Sequence, residues 1–141
     1  MFILDTNIIS DLVRNPAGRA AERLAEVGDG DLATSVIVAG ELRYRCLKNG
    51  SPRLTGRVEA VLREIKVMPL EPEVGTHYGD IRRDLEARGM PIGQNDLWIA
   101  AHARSAAAVL VTGNEGEFRR VEGLVVENWL RPHPVGFSPL P

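Results

Sequence analysis

Strand-length apolar runs separated by longer helical segments constrain this chain more than any other feature. Residues 1–4, 32–34, 67–70, 108–111 and 124–126 are short and rich in Ile, Leu and Val. Between them lie segments whose apolar residues recur at helical spacing. Such alternation predicts an α/β fold with a parallel sheet covered on both faces. In sheets of this kind the functional crevice lies beyond the carboxyl ends of the strands, where strand order reverses. Asp5 and Asn114 each follow a predicted strand, so both are expected at that edge.

Punctuation residues place the helices. After residues 5–7 the chain turns into a helix carrying Ile8, Ile9, Leu12 and Val13. A second helix is expected over about 17–27, closed by Gly28, Asp29 and Gly30. Ser35 has the residue type of an N-cap for a helix ending at Asn49 and Gly50. Helices follow over 52–65, over 73–88 with Gly89 as its stop, and from Asn95 and Asp96 through Ala103. A helical turn is expected over 117–120. Residues 1–130 make one domain. Residues 131–141 contain four prolines and are expected to be an extended tail without a core.

Charge and cysteine content exclude several classes. A net charge of −2 argues against a protein that simply coats phosphates, though not against a nuclease whose acidic site masks its basic residues. The single cysteine, Cys46, rules out an internal disulfide framework and suits a reducing cytoplasm. No basic-then-apolar leader or membrane-length run occurs, so a soluble, cytoplasmic protein is expected. Basic residues gather between positions 43 and 66. Arg43, Arg45 and Lys48 are the candidates for touching RNA, against the alternative of a solvated helical face.

Three carboxylates stand out, and each has a structural explanation beside the chemical one. Asp5 sits where an N-cap would. Glu41 precedes Arg45 by four residues, the spacing of a helical ion pair. Asp96 complements the positive end of its helix. Yet the three lie on separate elements that the fold aims at one crevice, and carboxylate oxygens are the ligands that magnesium and manganese prefer. Gly40, inside a helix at a cost of about 1 kcal/mol relative to alanine, suggests a close approach to the backbone beside Glu41. The histidines are scattered, and His102 reads as a helix-surface or partly buried residue rather than a ligand. No serine–histidine–acid set or phosphate-cradling glycine loop competes.

The run Ile3-Leu4-Asp5-Thr6-Asn7, with Glu41 inside a later helix, resembles the front half of a PIN domain. Residues 91–103, PIGQNDLWIAAHA, resemble the second-half motif of the VapC-type toxins within that family. Residues 109–118, VLVTGNEGEF, then 121–124 and 127–129, resemble that group's C-terminal signature. The resemblance implies a three-layer α/β/α fold, Mg2+-dependent endoribonuclease activity with Mn2+ as a substitute, a homodimer, and inhibition by a cognate antitoxin. It also implies that Asp5, Glu41 and Asp96 bind metal, with Thr6, Asn7, Asn95 and Thr112 as polar support. This chain departs from the pattern at Asn114, where many PIN domains carry a fourth acid. Glu117 is the favoured replacement, with Glu115 and the Asn114 amide behind it.

Hydrolysis of RNA then proceeds by metal-activated water, with Asp5 and Asp96 holding the cation and Glu41 binding it or orienting the water. A folded RNA with an exposed loop, such as a transfer RNA, is the expected substrate. Two readings compete. A haloacid-dehalogenase-like phosphatase also opens on a strand and Asp, but position 7 is Asn7 and the downstream lysine motif is missing. A non-catalytic PIN-fold module that grips RNA or a partner is opposed by the clustered like charges, which repel without a metal.

Overall fold

The structure, a computed structural model, describes residues 1–28 and 31–132. Five strands form one all-parallel sheet: β1 (Phe2–Leu4), β2 (Leu32–Ser35), β3 (Lys66–Met68), β4 (Val109–Val111) and β5 (Val125–Glu127). Their order is β3-β2-β1-β4-β5. The chain builds outward from β1 in one direction, then returns to its other side for β4. The strand order therefore reverses between β1 and β4. Helices α1 (Thr6–Arg14), α2 (Arg19–Val27), α3 (Val36–Asn49), α4 (Pro52–Glu64), α5 (Pro72–Ala87), α6 (Gln94–Ser105) and α7 (Glu115–Phe118) flank the sheet, giving the expected α/β/α class.

Local chemistry accounts for the boundaries. Ser35 caps α3 by accepting a 3.1 Å hydrogen bond from the Ile37 amide, and Gly50 ends that helix in the left-handed region at φ +76°. Ser51 caps α4, where Pro52 takes the first turn. Strand β3 stops at Met68, short of the expected residue 70, because Pro69 has no N–H to continue the ladder. Helix α7 begins at Glu115, two residues before the expected start. Of the expected close of α2, Asp29 and Gly30 lie outside the described residues. So does the proline-rich tail beyond Pro132.

The core runs along both sides of β1 and β4, where Ile3, Leu4, Leu110 and Val111 are fully buried, and is closed by Phe118, Ile81 and Leu85. Helix α4 turns Val58 and Leu62 into it, with Leu54 and Val61 packed at its margin. No described helix is long and apolar enough to cross a membrane.

Candidate metal and nuclease site

Register brings the site together. Leu4 pairs with Val111, so Asp5 and Thr112 leave adjacent strands at the same level. The ladder runs one step further: Asp5 N donates to Val111 O at 2.9 Å, and Thr112 N to Glu127 O at 2.9 Å. Asp5 is only 4% exposed. Its Oδ1 accepts from the Thr6 amide at 2.7 Å, capping α1, and its Oδ2 accepts from Thr112 Oγ1 at 2.7 Å. Capping and site-building are thus one arrangement rather than alternatives. Burial raises the Asp5 pKa above the usual carboxylate value. The Thr112 and Thr6 hydrogen bonds oppose that rise, the Glu41 charge adds to it, and Arg45 draws it down slightly.

Glu41 enters from α3. Its Oε2 accepts from Thr6 Oγ1 at 3.1 Å. Its Oε1 is buried with no hydrogen-bond partner. The ion pair with Arg45 that spacing allowed is not among those of the described residues. Asp96 arrives from the first turn of α6, beneath the N-terminus at Gly93. Its carboxyl group meets that of Glu117 at hydrogen-bonding reach, and its pKa is pushed up to about 7 by burial, by that contact, and by the charges of Asp5, Glu117 and Glu41. Two facing carboxylates can share a hydrogen bond only if one keeps its proton. Four acidic side chains from the β1 exit, α3, α6 and α7 therefore converge.

The support is specific. Asn114 Nδ2 donates to Glu117 Oε2 at 3.1 Å, while the Asn114 amide donates to Thr112 Oγ1 at 3.0 Å. Asn7 Oδ1 accepts from the Gly113 amide at 2.9 Å, pinning the loop after β4 to α1. Glu115 turns elsewhere: it binds Arg119, Asn128 and Arg131, which hold its pKa below the ordinary value. Asn95 is exposed and makes no hydrogen bond to the carboxylate network, so its expected support is not expressed as a contact. Arg43 is held by Glu59 through two hydrogen bonds of 2.8 and 3.1 Å, and Lys48 is exposed near the end of α3.

Sequence reasoning missed His102. It is 2% exposed, not a surface residue, and its Nδ1 lies 2.8 Å from Ser35 Oγ, tying α6 to the start of α3. Burial lowers its pKa. A histidine inside the apolar run of α6 was the available signal.

The donor set suits a hard divalent cation: it is all oxygen, anionic and partly buried. Among the described residues no three acidic, histidine or cysteine side chains stand as a preformed cage. The oxygens face their own donors and one another instead. The unpartnered Glu41 Oε1 and the crowding of Asp96 by Glu117, Asp5 and Glu41 fit a divalent cation, whose charge would offset the repulsion among these groups.

Comparison with known proteins points the same way. Residues 2–124 match the PIN domain. The chain is 36% identical over 129 residues to the tRNA(fMet)-specific endonuclease VapC of Shigella flexneri, covering 91% of this chain and 97% of that protein. It is 36% identical over 132 residues to ribonuclease VapC2 of Haemophilus influenzae, covering 92% and 98%. Among solved structures, VapBC2 of Rickettsia felis bound to a promoter DNA fragment superposes with a TM-score of 0.84 at 32% identity, covering 91% of this chain and 98% of the other.

Proposed function

This chain belongs to the PIN-domain family, and from that membership and the carboxylate geometry we infer a VapC-type toxin: a Mg2+-dependent endoribonuclease paired with an antitoxin. The observation that carries the reading is the convergence of Asp5, Glu41 and Glu117 on Asp96, together with a buried oxygen, Glu41 Oε1, that lacks a partner. Asp5 and Asp96 would hold the cation, with Mn2+ as a substitute for Mg2+. Glu41 and Glu117 complete the ring. A divalent ion bound there would supply charge neutralisation at the phosphodiester and activation of the attacking water. Thr112 and Thr6 keep Asp5 aimed, and Asn114 keeps Glu117 facing Asp96.

A structured RNA with an exposed loop is the proposed substrate, because unstacked bases are what a protein can read. Relatives from Shigella flexneri and Salmonella typhimurium are named for transfer RNA, which supports the choice. The antitoxin is supported by the toxin–antitoxin complexes among the structural relatives. A homodimer is supported by α3. Tyr44 and Leu47 are 64% and 84% exposed, and they share one side of the helix with Val36 and Gly40. Among the described residues, nothing beyond the neighbouring turns of α3 itself approaches within 4 Å of where a Gly40 side chain would begin. The close approach expected at Gly40 is therefore not made among the described residues. The surplus apolar surface lies on α3, not on α4, whose apolar residues pack against the core.

Sequencing RNA 5′ ends after brief induction tests the substrate. Discrete new ends in the loop of one RNA class are expected. Unchanged ends, with a melting temperature indifferent to millimolar Mg2+ or Mn2+, would favour a non-catalytic PIN-fold module.

A further inference from the structure

Four acidic side chains repel the polyanion they are to cut, so the substrate must gain its affinity from cations placed nearby. Arg43 on α3 is neutralised by Glu59. Arg45 and Lys48 on that helix form no ion pair among the described residues, and a second surface gathers arginines more closely. Beside α7 an open groove of about 570 Å³ is lined by Arg88, Arg119, Arg120 and Arg131, with Glu115 and Met90. Resting on the nuclease reading above, we propose that this groove is the phosphate track of the RNA, leading the strand over α7 to the carboxylates.

The charge count favours a polyanion. Four guanidiniums face three carboxylates: Glu115, the Asp84 that holds Arg88, and Glu122, whose charge also acts on Arg88. Glu115 Oε1 accepts from both Arg119 and Arg131 at 2.9 Å. One acid therefore gathers two cations: Arg119 spends its Nε and Nη2 donors on Glu115 and Val126 O and keeps Nη1, while Arg131 donates to Glu115 from Nη2 alone and keeps most of its five N–H donors. Arg120 is held by a carbonyl, which orients without neutralising: its Nη1 donates to Pro91 O at 3.1 Å, while Arg88, paired with Asp84, also donates from Nη2 to Arg120 O at 2.6 Å. These bonds fix the loop before α6 against α7, so the groove is built from the same pieces as the site. The side chains of Arg119 and Arg131 remain 56% and 66% exposed. A planar guanidinium fork matches a phosphate's two oxygens.

Position completes the argument. Glu115 and Gly116 line the groove, and Glu117 of the same short helix meets Asp96. A strand lying along the arginines would thus reach the helix that carries Glu117. The neighbouring cleft toward α2 lacks this bias, because Arg19, Arg23, Arg119 and Arg131 there face Glu22, Glu26, Glu115 and Glu127.

The test is fluorescence anisotropy with a short labelled single-stranded RNA in EDTA, where it is bound but not cut. The full chain is compared with Arg119→Gln/Arg131→Gln and with Arg53→Gln/Arg57→Gln, which removes equal charge from exposed positions on α4. The groove pair should weaken binding roughly tenfold at moderate salt and flatten the salt dependence by about 0.7 per lost contact, while the α4 pair does neither. With metal, the groove pair should raise KM far more than it lowers kcat, and Arg119→Lys/Arg131→Lys should restore much of the binding. Equal salt slopes for all three proteins, or a larger loss for the α4 pair, would overturn the track while leaving the nuclease intact. Groove variants that bind RNA normally but lose an acidic peptide would assign the groove to a protein partner instead. A wild-type chain that neither binds nor cuts RNA would remove both the track and the nuclease reading.

Discussion

Thr112 Oγ1 donates a 2.7 Å hydrogen bond to Asp5 Oδ2 across 107 residues of sequence, joining the exits of two adjacent parallel strands inside the protein. The same hydroxyl accepts from the Asn114 amide, so one side chain sets both Asp5 and the residue that holds Glu117. Thr112→Val keeps the shape and removes both bonds. It should cost about 1–3 kcal/mol, because buried polar groups lose their partner. It should also raise the Asp5 pKa further. Denaturant unfolding and the pH profile of cleavage check the two effects.

Asp5→Asn, Glu41→Gln and Asp96→Asn should each abolish cleavage while the fold survives. Asparagine still caps α1, whereas Asp5→Ala should lose about 0.5–2 kcal/mol. Without metal, Asp96→Asn should melt at least as high as wild type above neutral pH, because it removes a carboxylate crowded by three others. Cleavage assays and metal-free melting curves measure both.

At the fourth corner, Glu117→Gln should weaken metal affinity and catalysis strongly, though less than Asp5→Asn. Glu115→Gln should leave metal dependence as it was, since Glu115 faces Arg119 and Arg131. Asn114→Ala should fall between them, because its amide only orients Glu117. Magnesium-dependence curves for the three rank them; a dead Asn114→Ala beside a normal Glu117→Gln would make the amide the ligand.

Proton linkage gives a signed expectation. The Asp96 pKa is raised from the ordinary 3.8 to about 7 in the folded protein. The stability this confers is present below the unfolded value and is lost as pH rises through the folded one. The metal-free protein should therefore lose stability from about pH 4 to 7 on account of this group, and Asp96→Asn should flatten that slope. Cleavage should run the opposite way, rising through neutrality as Asp96 gives up its proton, with the midpoint moving lower at higher Mg2+. Melting and rate profiles taken on the same buffers test both signs.

Much of this was legible in the residues because strand ends and helix starts carry local signals. Asp5 and Asp96 stand at such boundaries, and Ser35 and Gly50 mark the ends of α3 by their own chemistry. What pairs across the fold was not legible. Arg43 meets Glu59 sixteen residues away only because α3 and α4 pack together. His102 is buried because Ser35, 67 residues earlier, supplies its partner. Asn114 leaves α7 without a side-chain cap because its amide is committed to Glu117, and the short helix begins at Glu115, where the Arg119 pair lies one turn on.

Cleavage of a labelled structured RNA by the purified chain, titrated with Mg2+ from an EDTA-treated start, tests the central claim most directly. The carboxylate site predicts no cut without metal, a saturable rise with it, and no cut at any concentration by Asp5→Asn or Asp96→Asn of wild-type fold. Equal cutting in EDTA, or by either variant in clean preparations, would contradict it.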